Sequence, residues 1–159
     1  MHSTLTKPIL LFALLAAIPS AASAATATTS FTVSATVADS CTVSAAALDF
    51  GAYTVASDSA ATTTVTVTCT NGTTYHVALD DGGSFTTTRR MTDGTSFLEY
   101  ELYKNAGHSI RWGNTDATDV DGTGAGSAQA LTVYGLVPSG QFMAAGSYTD
   151  TINVTVTYP

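Results

Sequence analysis

Histidine is the side chain in this sequence best suited to acid–base chemistry or to metal binding at neutral pH. His76 falls within an alternating segment that predicts a strand, and His108 falls within a turn. Neither has a serine, an aspartate or a second histidine at the spacing of a catalytic triad or of a metal motif. The sequence therefore predicts no catalytic residue, and an enzyme is the least supported class of function.

Acidic residues are concentrated in residues 116–122, which have the aspartates and the glycine of a calcium loop. With Gly122 at the sixth position of such a loop, Ala117 occupies the first ligand position and Ala128 the position of the bidentate glutamate. Two required carboxylates are therefore absent. We expect no metal and no cofactor, and we interpret residues 114–127 as a solvated acidic loop, the most mobile part of the chain.

Cys41 and Cys69 are the only cysteines of the chain. An even number of cysteines in an exported protein is typical of a disulfide. The C-x-x-C spacing of redox proteins is absent, and no single cysteine remains as a nucleophile. We therefore predict a structural disulfide between Cys41 and Cys69.

The first residues of the chain indicate export. Residues 8–18 form an apolar run of signal-peptide length after a basic start, and residues 22–24, Ala-Ser-Ala, fit the rule for a cleavage site. We predict a signal peptide over residues 1–24, and no membrane span, because no later segment approaches the required length. The net charge of −7 argues against nucleic acid and anionic membranes as partners.

Most of the remaining chain alternates between apolar and polar residues with the period of a β-strand. The alternating segments are residues 62–69, 75–79, 97–103, 130–136 and 152–158, and turn residues such as Asn71-Gly72 and Asp93-Gly94 separate them. This pattern predicts an all-β fold, an antiparallel sandwich of immunoglobulin type. Trp112 follows the second cysteine, so the Cys-Trp-Cys order of antibody domains is absent.

An isolated alternating segment, residues 31–37, precedes the first cysteine. Its apolar side would be formed by Phe31, Val33, Ala35 and Val37, and its polar side by Thr32, Ser34 and Thr36. The last predicted strand, residues 152–158, has the same pattern. A fold that begins and ends on unpaired strands favours pairing with another chain.

Many short motifs follow one another along the mature chain. They are Cys41-Thr-Val43, Leu48-Asp-Phe50-Gly51-Ala-Tyr53, Val65-Thr-Val67-Thr-Cys69, Tyr75-His-Val77-Ala-Leu79-Asp80-Asp-Gly82, Arg90-Met91, Leu98-Glu-Tyr100-Glu-Leu102-Tyr103, Trp112-Gly113, Leu131-Thr-Val133-Tyr134-Gly135 and Gly146-Ser-Tyr148-Thr-Asp150. In their order and spacing these motifs resemble the spore coat protein U domain. The resemblance spans essentially the whole chain after the signal peptide. It implies a subunit of an archaic chaperone–usher pilus, a Csu-like fibre of Gram-negative bacteria.

The resemblance further implies an incomplete immunoglobulin-like fold that lacks its final strand. Residues 25–40 would form an N-terminal extension with the donor strand, and residues 41–159 the pilin domain. The donor residues would be Phe31, Val33, Ala35 and Val37, and the acceptor edge Ile152, Val154, Val156 and Tyr158. The implied partners are a periplasmic chaperone, an outer-membrane usher and identical or related subunits. The protein would be exported through the periplasm to the cell surface, for adhesion and biofilm formation.

Two other classes of function remain open on the sequence. A secreted monomeric adhesin or lectin of the same sandwich class would fold without a chaperone and would not need its N-terminal extension. A coat or matrix protein would assemble without an usher. The N-terminal extension could also fold back on its own domain, which would give a self-complemented monomer, and the alternation alone does not separate these outcomes.

Overall fold

The structure is a computed structural model that describes residues 23–159, so the predicted signal peptide lies almost entirely outside the described residues. Residues 36–159 form a compact unit with eight strands. The strands are β1 (Cys41–Ala45), β2 (Ser59–Cys69), β3 (Thr74–Leu79), β4 (Arg89–Thr92), β5 (Phe97–Tyr103), β6 (Val120–Thr123), β7 (Gln129–Val137) and β8 (Val154–Thr157). Within residues 23–159 there is no helix of the length and apolarity that a membrane span requires.

All strand pairs are antiparallel, and they form two sheets. The first sheet has the order β1-β2-β7-β5-β4, and the second has the order β6-β3-β8. Each of the five alternating segments identified in the sequence corresponds to one of these strands, with ends that differ by at most a few residues. The prediction of an all-β antiparallel fold is confirmed.

The alternation of threonine and valine along β2 separates the core from the outer surface of the first sheet. Val65, Val67 and Cys69 are buried, and the residues between them are partly exposed. Val133 and Val137 of β7 are also buried in the same core. Alternating side chains of this kind, buried on one face only, are what an antiparallel sheet of a sandwich requires.

Trp112 lies in the core although it belongs to no strand. Its side chain is fully enclosed, and its indole N–H donates a hydrogen bond of 2.8 Å to the carbonyl oxygen of Val77 in β3. A buried tryptophan needs such an acceptor, because an unpaired indole N–H is costly in a low-dielectric interior.

The sequence did not predict β1, β4 or β6, and the interpretation of residues 114–127 as a loop is wrong for residues 120–123, which form β6. Asp121 and Gly122 at the centre of β6 disfavour a strand and typify a turn, so its pattern gave no signal. Its pairing with β3 stabilises it instead, with Gly122 opposite Tyr75. A Cβ atom at Gly122 would overlap the Tyr75 ring, so glycine lets the tyrosine pack directly on the backbone of β6.

Cys41 and Cys69 form the predicted disulfide. They are also opposite residues of the β1–β2 pair, at the start of one strand and the end of the other. The disulfide therefore fixes the register of β1, which is an edge strand of the five-stranded sheet.

Removing this disulfide should lower the free energy of unfolding by about 3 kcal/mol, because the bond restricts the unfolded chain. We expect the Cys41→Ser/Cys69→Ser variant to unfold at a lower urea concentration than the oxidised wild type. Wild-type protein treated with a reductant is the control, and its midpoint should fall with that of the variant. Identical midpoints for the oxidised wild type, the reduced wild type and the variant would show that the hydrogen bonds between β1 and β2 stabilise the domain without the disulfide.

Candidate binding groove

A long groove opens on the surface of the compact unit between two segments of irregular chain. One wall follows β1 and comprises residues 45–55, and the other wall comprises residues 141–154, which lead into β8. The groove has two adjoining parts of about 690 Å³ and about 510 Å³. Leu48, Phe50 and Tyr148 line both parts, so the two parts form one continuous surface.

The floor of the groove belongs to the hydrophobic core. Core side chains that line it are Val65, Leu79, Leu98, Tyr100, Leu102, Val133 and Val137. An apolar side chain that entered the groove would therefore contact the core of the sandwich directly. Such a contact removes apolar area from water on both partners, and this is the main favourable term in association.

The first wall is held against the floor by two apolar side chains. Leu48 and Phe50 pack over Gly135 of β7, where a Cβ atom would collide with both of them. The Phe50 ring also meets the Tyr100 ring edge to face, with 6.0 Å between the ring centroids. The start of this wall is hydrogen-bonded to β2, where the main-chain N–H of Ala46 donates to the carbonyl oxygen of Thr64 at 3.1 Å, and packing positions Leu48 and Phe50.

The polar groups inside the groove are already paired with one another. The hydroxyl of Tyr100 donates a hydrogen bond of 2.7 Å to Asp150, and the main-chain N–H of Gly83 donates one of 2.9 Å to the same carboxylate. Burial raises the pKa of Tyr100, and the bond to Asp150 raises it further, so the phenol stays a neutral donor. Because Tyr100 and Asp150 satisfy each other, an incoming chain meets no unpaired group of theirs above the apolar floor.

Tyr53 closes one end of the groove. Its hydroxyl donates a hydrogen bond of 3.0 Å to the carbonyl oxygen of Pro138 and accepts one of 3.0 Å from the main-chain N–H of Gln141. The side chain of Gln141 in turn bonds to both main-chain groups of Glu99 in β5. The two walls are therefore joined at this end.

β8 leaves one side of its backbone open along the groove. Among the strands of residues 23–159 it pairs with β3 alone, and the main-chain N–H of Asp80 donates to the carbonyl oxygen of Asn153 at 3.1 Å. Because main-chain groups of successive residues point to opposite sides of a strand, those of Ile152, Val154 and Val156 point away from β3. They form a row of unpaired donors and acceptors, which can accept a further strand.

Two of the four predicted acceptor residues line the groove. Ile152 and Val154 contribute to its wall, whereas Val156 and Tyr158 lie further along the same strand and its end. Ile152, Val154 and Val156 are half-buried against the core, and Tyr158 is exposed. The residues that sequence reasoning missed are Ala45, Leu48, Phe50 and Tyr148 of the two walls, and the alternation of Leu48-Asp-Phe50 was the only signal for them.

The predicted donor residues lie outside every strand. Residues 23–40 have no regular secondary structure. Phe31 and Val33 have exposed fractions of 87% and 83%, and Val37 is exposed to a similar degree. Large apolar side chains of this kind are seldom left in water together, unless they contact another molecule.

A buried ionic network holds β8 to the rest of the domain. Arg89 of β4 is completely buried, and its guanidinium donates to the carbonyl oxygens of Leu79 and Asp80 and to the carboxylate of Glu101. The carboxylate of Asp80 accepts hydrogen bonds of 3.0 Å and 2.6 Å from the main chain and side chain of Asn153. Arg89 thus fixes the turn that positions the start of β8 and the second wall.

Comparison with known proteins assigns the chain to a family. Residues 27–155 match the Spore Coat Protein U domain. Protein U of Myxococcus xanthus is 40% identical over 62 residues, which are 39% of this chain and 35% of that protein. The chain belongs to the Spore Coat Protein U domain family.

A solved structure gives the fold relationship. A chain of the CsuC–CsuE chaperone–tip adhesion subunit pre-assembly complex, from archaic chaperone-usher Csu pili of Acinetobacter baumannii, superposes with a TM-score of 0.59 and 25% identity. The match covers 76% of this chain and 40% of that one. The present chain thus spans less than half the length of either protein that it matches here. The predicted immunoglobulin-like all-β fold is confirmed.

Proposed function

We propose that this chain is a structural, non-enzymatic subunit of an extracellular chaperone–usher pilus, and that it polymerises by donor-strand complementation. The observation that carries the proposal is the apolar groove beside the open edge of β8, whose floor is the core of the domain itself. Membership of the Spore Coat Protein U domain family supports it. A match to a chain from a chaperone–subunit complex of Csu pili supports it as well.

The donor would be residues 28–38 of a neighbouring subunit, with Phe31, Val33, Ala35 and Val37 directed into the groove. Residues 31–37 match the predicted acceptor edge, residues 152–158, in length, and seven residues extend over about 20 Å as a strand. Burial of each large apolar side chain is worth about 1.5–3 kcal/mol, and the open main chain of β8 adds a row of hydrogen bonds. These terms oppose the cost of ordering the extension, which is about 1–2 kcal/mol per residue of backbone.

The same contact explains how a filament would grow. The donor lies ahead of Cys41, and the acceptor edge of residues 152–158 lies at the other end of the sequence. A contact between two different surfaces of one subunit is heterologous, and it produces a fibre where its rotation does not close into a ring. Before assembly, a periplasmic chaperone would cover the groove. At an outer-membrane usher, the donor strand of the next subunit would replace the chaperone. The fibre at the cell surface would serve adhesion and biofilm formation.

A peptide experiment tests the acceptor groove directly. A variant that lacks residues 25–35 retains the whole compact unit, residues 36–159, but has no donor segment. Adding a synthetic peptide of residues 28–38 should raise its thermal midpoint, because a ligand that binds only the folded state stabilises it. At a peptide concentration of 100 times Kd, the gain is about 2.7 kcal/mol.

A peptide with Phe31→Asp and Val33→Asp is the matched control, and it should leave the midpoint unchanged. If neither peptide bound, and the shortened variant were as stable as the full chain, the donor-strand proposal would be wrong. A monomeric secreted binding module would then account better for the fold.

A further inference from the structure

His76, Asp119 and Asp121 form a compact cluster on the outer face of the three-stranded sheet, away from the groove. Asp121 of β6 lies directly opposite His76 of β3, and its Oδ1 is 2.7 Å from the histidine Nδ1. Asp119, just before β6, places its Oδ2 3.5 Å from the same nitrogen. One ligand atom from each residue lies within 4.8 Å of the other two.

Asp119 is the unusual member of this cluster. Its side chain is only 7% exposed, and its Oδ1 is buried without a hydrogen-bond partner. Burying an ionised carboxylate without compensation is costly, so such groups are normally paired, protonated or bound to a metal. Asp121 is largely exposed and His76 is half-exposed, so both can adjust their side chains.

Lys104 approaches Asp119 but forms no ion pair with its carboxylate. The ammonium group of Lys104 donates to the main-chain carbonyl oxygen of Asp119. The main-chain N–H of Asp119 is itself occupied, because it donates to the carbonyl oxygen of Thr115 at 2.8 Å. The backbone around Asp119 is therefore fixed, and its carboxylate is directed at His76.

We propose that His76, Asp119 and Asp121 bind a divalent transition-metal ion of the Zn²⁺ type. One imidazole nitrogen and two carboxylates form a ligand set that such an ion accepts, at about 2.0–2.2 Å from each ligand atom. Ca²⁺ is disfavoured because it prefers six to eight oxygen ligands. The remaining coordination positions face water. His76 lies on β3, and Asp119 and Asp121 lie just before β6 and on it. Because His76 is more than 40 residues from both aspartates in sequence, the ligands form no local sequence motif.

The bound ion would stabilise the edge of the second sheet. β6 is short and pairs only with β3, and two of the three ligands lie on or just before it. A metal shared between His76 and this segment would join β6 to β3 through their side chains. The site lies outside the groove, so it is independent of donor-strand assembly.

Isothermal titration calorimetry tests the proposal. ZnCl₂ is titrated into the full exported chain after treatment with a chelator. We expect one ion per chain, and an affinity at least about tenfold lower for Asp119→Asn and for His76→Gln. The matched controls are Asp116→Asn, an exposed aspartate of the same segment, and His108→Gln, a histidine in a turn. Both controls should bind Zn²⁺ as the wild type does.

Thermal unfolding provides a second, independent readout. Without metal, Asp119→Asn should match or exceed the wild-type midpoint, because it removes an uncompensated buried charge. With Zn²⁺, only the wild type and the two control variants should gain stability. The proposal fails if the wild type binds no Zn²⁺, if the controls weaken binding as much as the cluster variants, or if Zn²⁺ stabilises Asp119→Asn equally.

Discussion

Aspartate in place of Phe31 and Val33 should leave the exported protein entirely monomeric, whereas the wild type, expressed without its chaperone, should form stable oligomers. The reason is that two charges would have to enter a groove whose floor is Val65, Leu79 and other core side chains. Burying an unpaired carboxylate costs more than the apolar contacts return. Size-exclusion chromatography with light scattering measures the mass of each species directly.

The opposite face of the same segment supplies the control. Thr32→Asp/Ser34→Asp adds the same charge to the same segment of the chain, but these side chains would point to water in a donated strand. This variant should still form oligomers. A folded monomer for the wild type as well as for both variants would contradict polymerisation through residues 31–37 and would favour a secreted binding module.

Arg89→Ala should lower the free energy of unfolding by about 3–5 kcal/mol. The substitution removes one of the two arginines paired with the carboxylate of Glu101, whose side chain is only 13% exposed, and leaves it with the partly exposed Arg111. It also removes the donors to the carbonyl oxygens of Leu79 and Asp80. Because Asp80 positions Asn153, we expect the groove wall beside β8 to loosen at the same time. Urea denaturation measures the loss.

The adjacent arginine is a matched control for this experiment. Arg90 is partly exposed, donates to the carbonyl oxygen of Ser84 and lies over the Phe97 ring, with 4.4 Å from its Cζ to the ring centroid. An exposed cation–π contact is worth about 0.5–1 kcal/mol, so Arg90→Ala should cost much less. If both variants lost the same free energy of unfolding, burial would not determine how much Arg89 contributes to stability.

The parts of the fold that the sequence predicted are those in which pairing and burial coincide with alternation. β5 has the predicted bounds, residues 97–103, because Leu98, Tyr100 and Leu102 all face the core. β6 was not predicted because its pairing with a neighbouring strand stabilises it, whereas Asp121 and Gly122 at its centre do not favour a strand. β1 was not predicted although Cys41, Val43 and Ala45 alternate with Thr42 and Ser44, because the segment has only five residues.

The candidate site was predicted only in part for a related reason. The donor pattern and the edge residues Ile152 and Val154 follow from a period of two. The groove walls do not, because residues 45–55 and 141–154 are largely irregular and acquire their position from tertiary contacts. Leu48 over Gly135 and Tyr53 against Pro138 are contacts between segments more than 80 residues apart in sequence. No local periodicity reports a contact of that range.

The position of the disulfide has a mechanical consequence for a fibre joined through residues 28–38. Tension along such a fibre would enter each domain through the backbone just ahead of Cys41, the first residue of β1. Hydrogen bonds at that end of β1 would otherwise carry the force one pair at a time and open like a zip. The covalent bond to Cys69 instead passes the force to the end of β2, an internal strand that pairs with β7 along most of its length. Rupture would then require shearing of the central sheet, in which many hydrogen bonds break together.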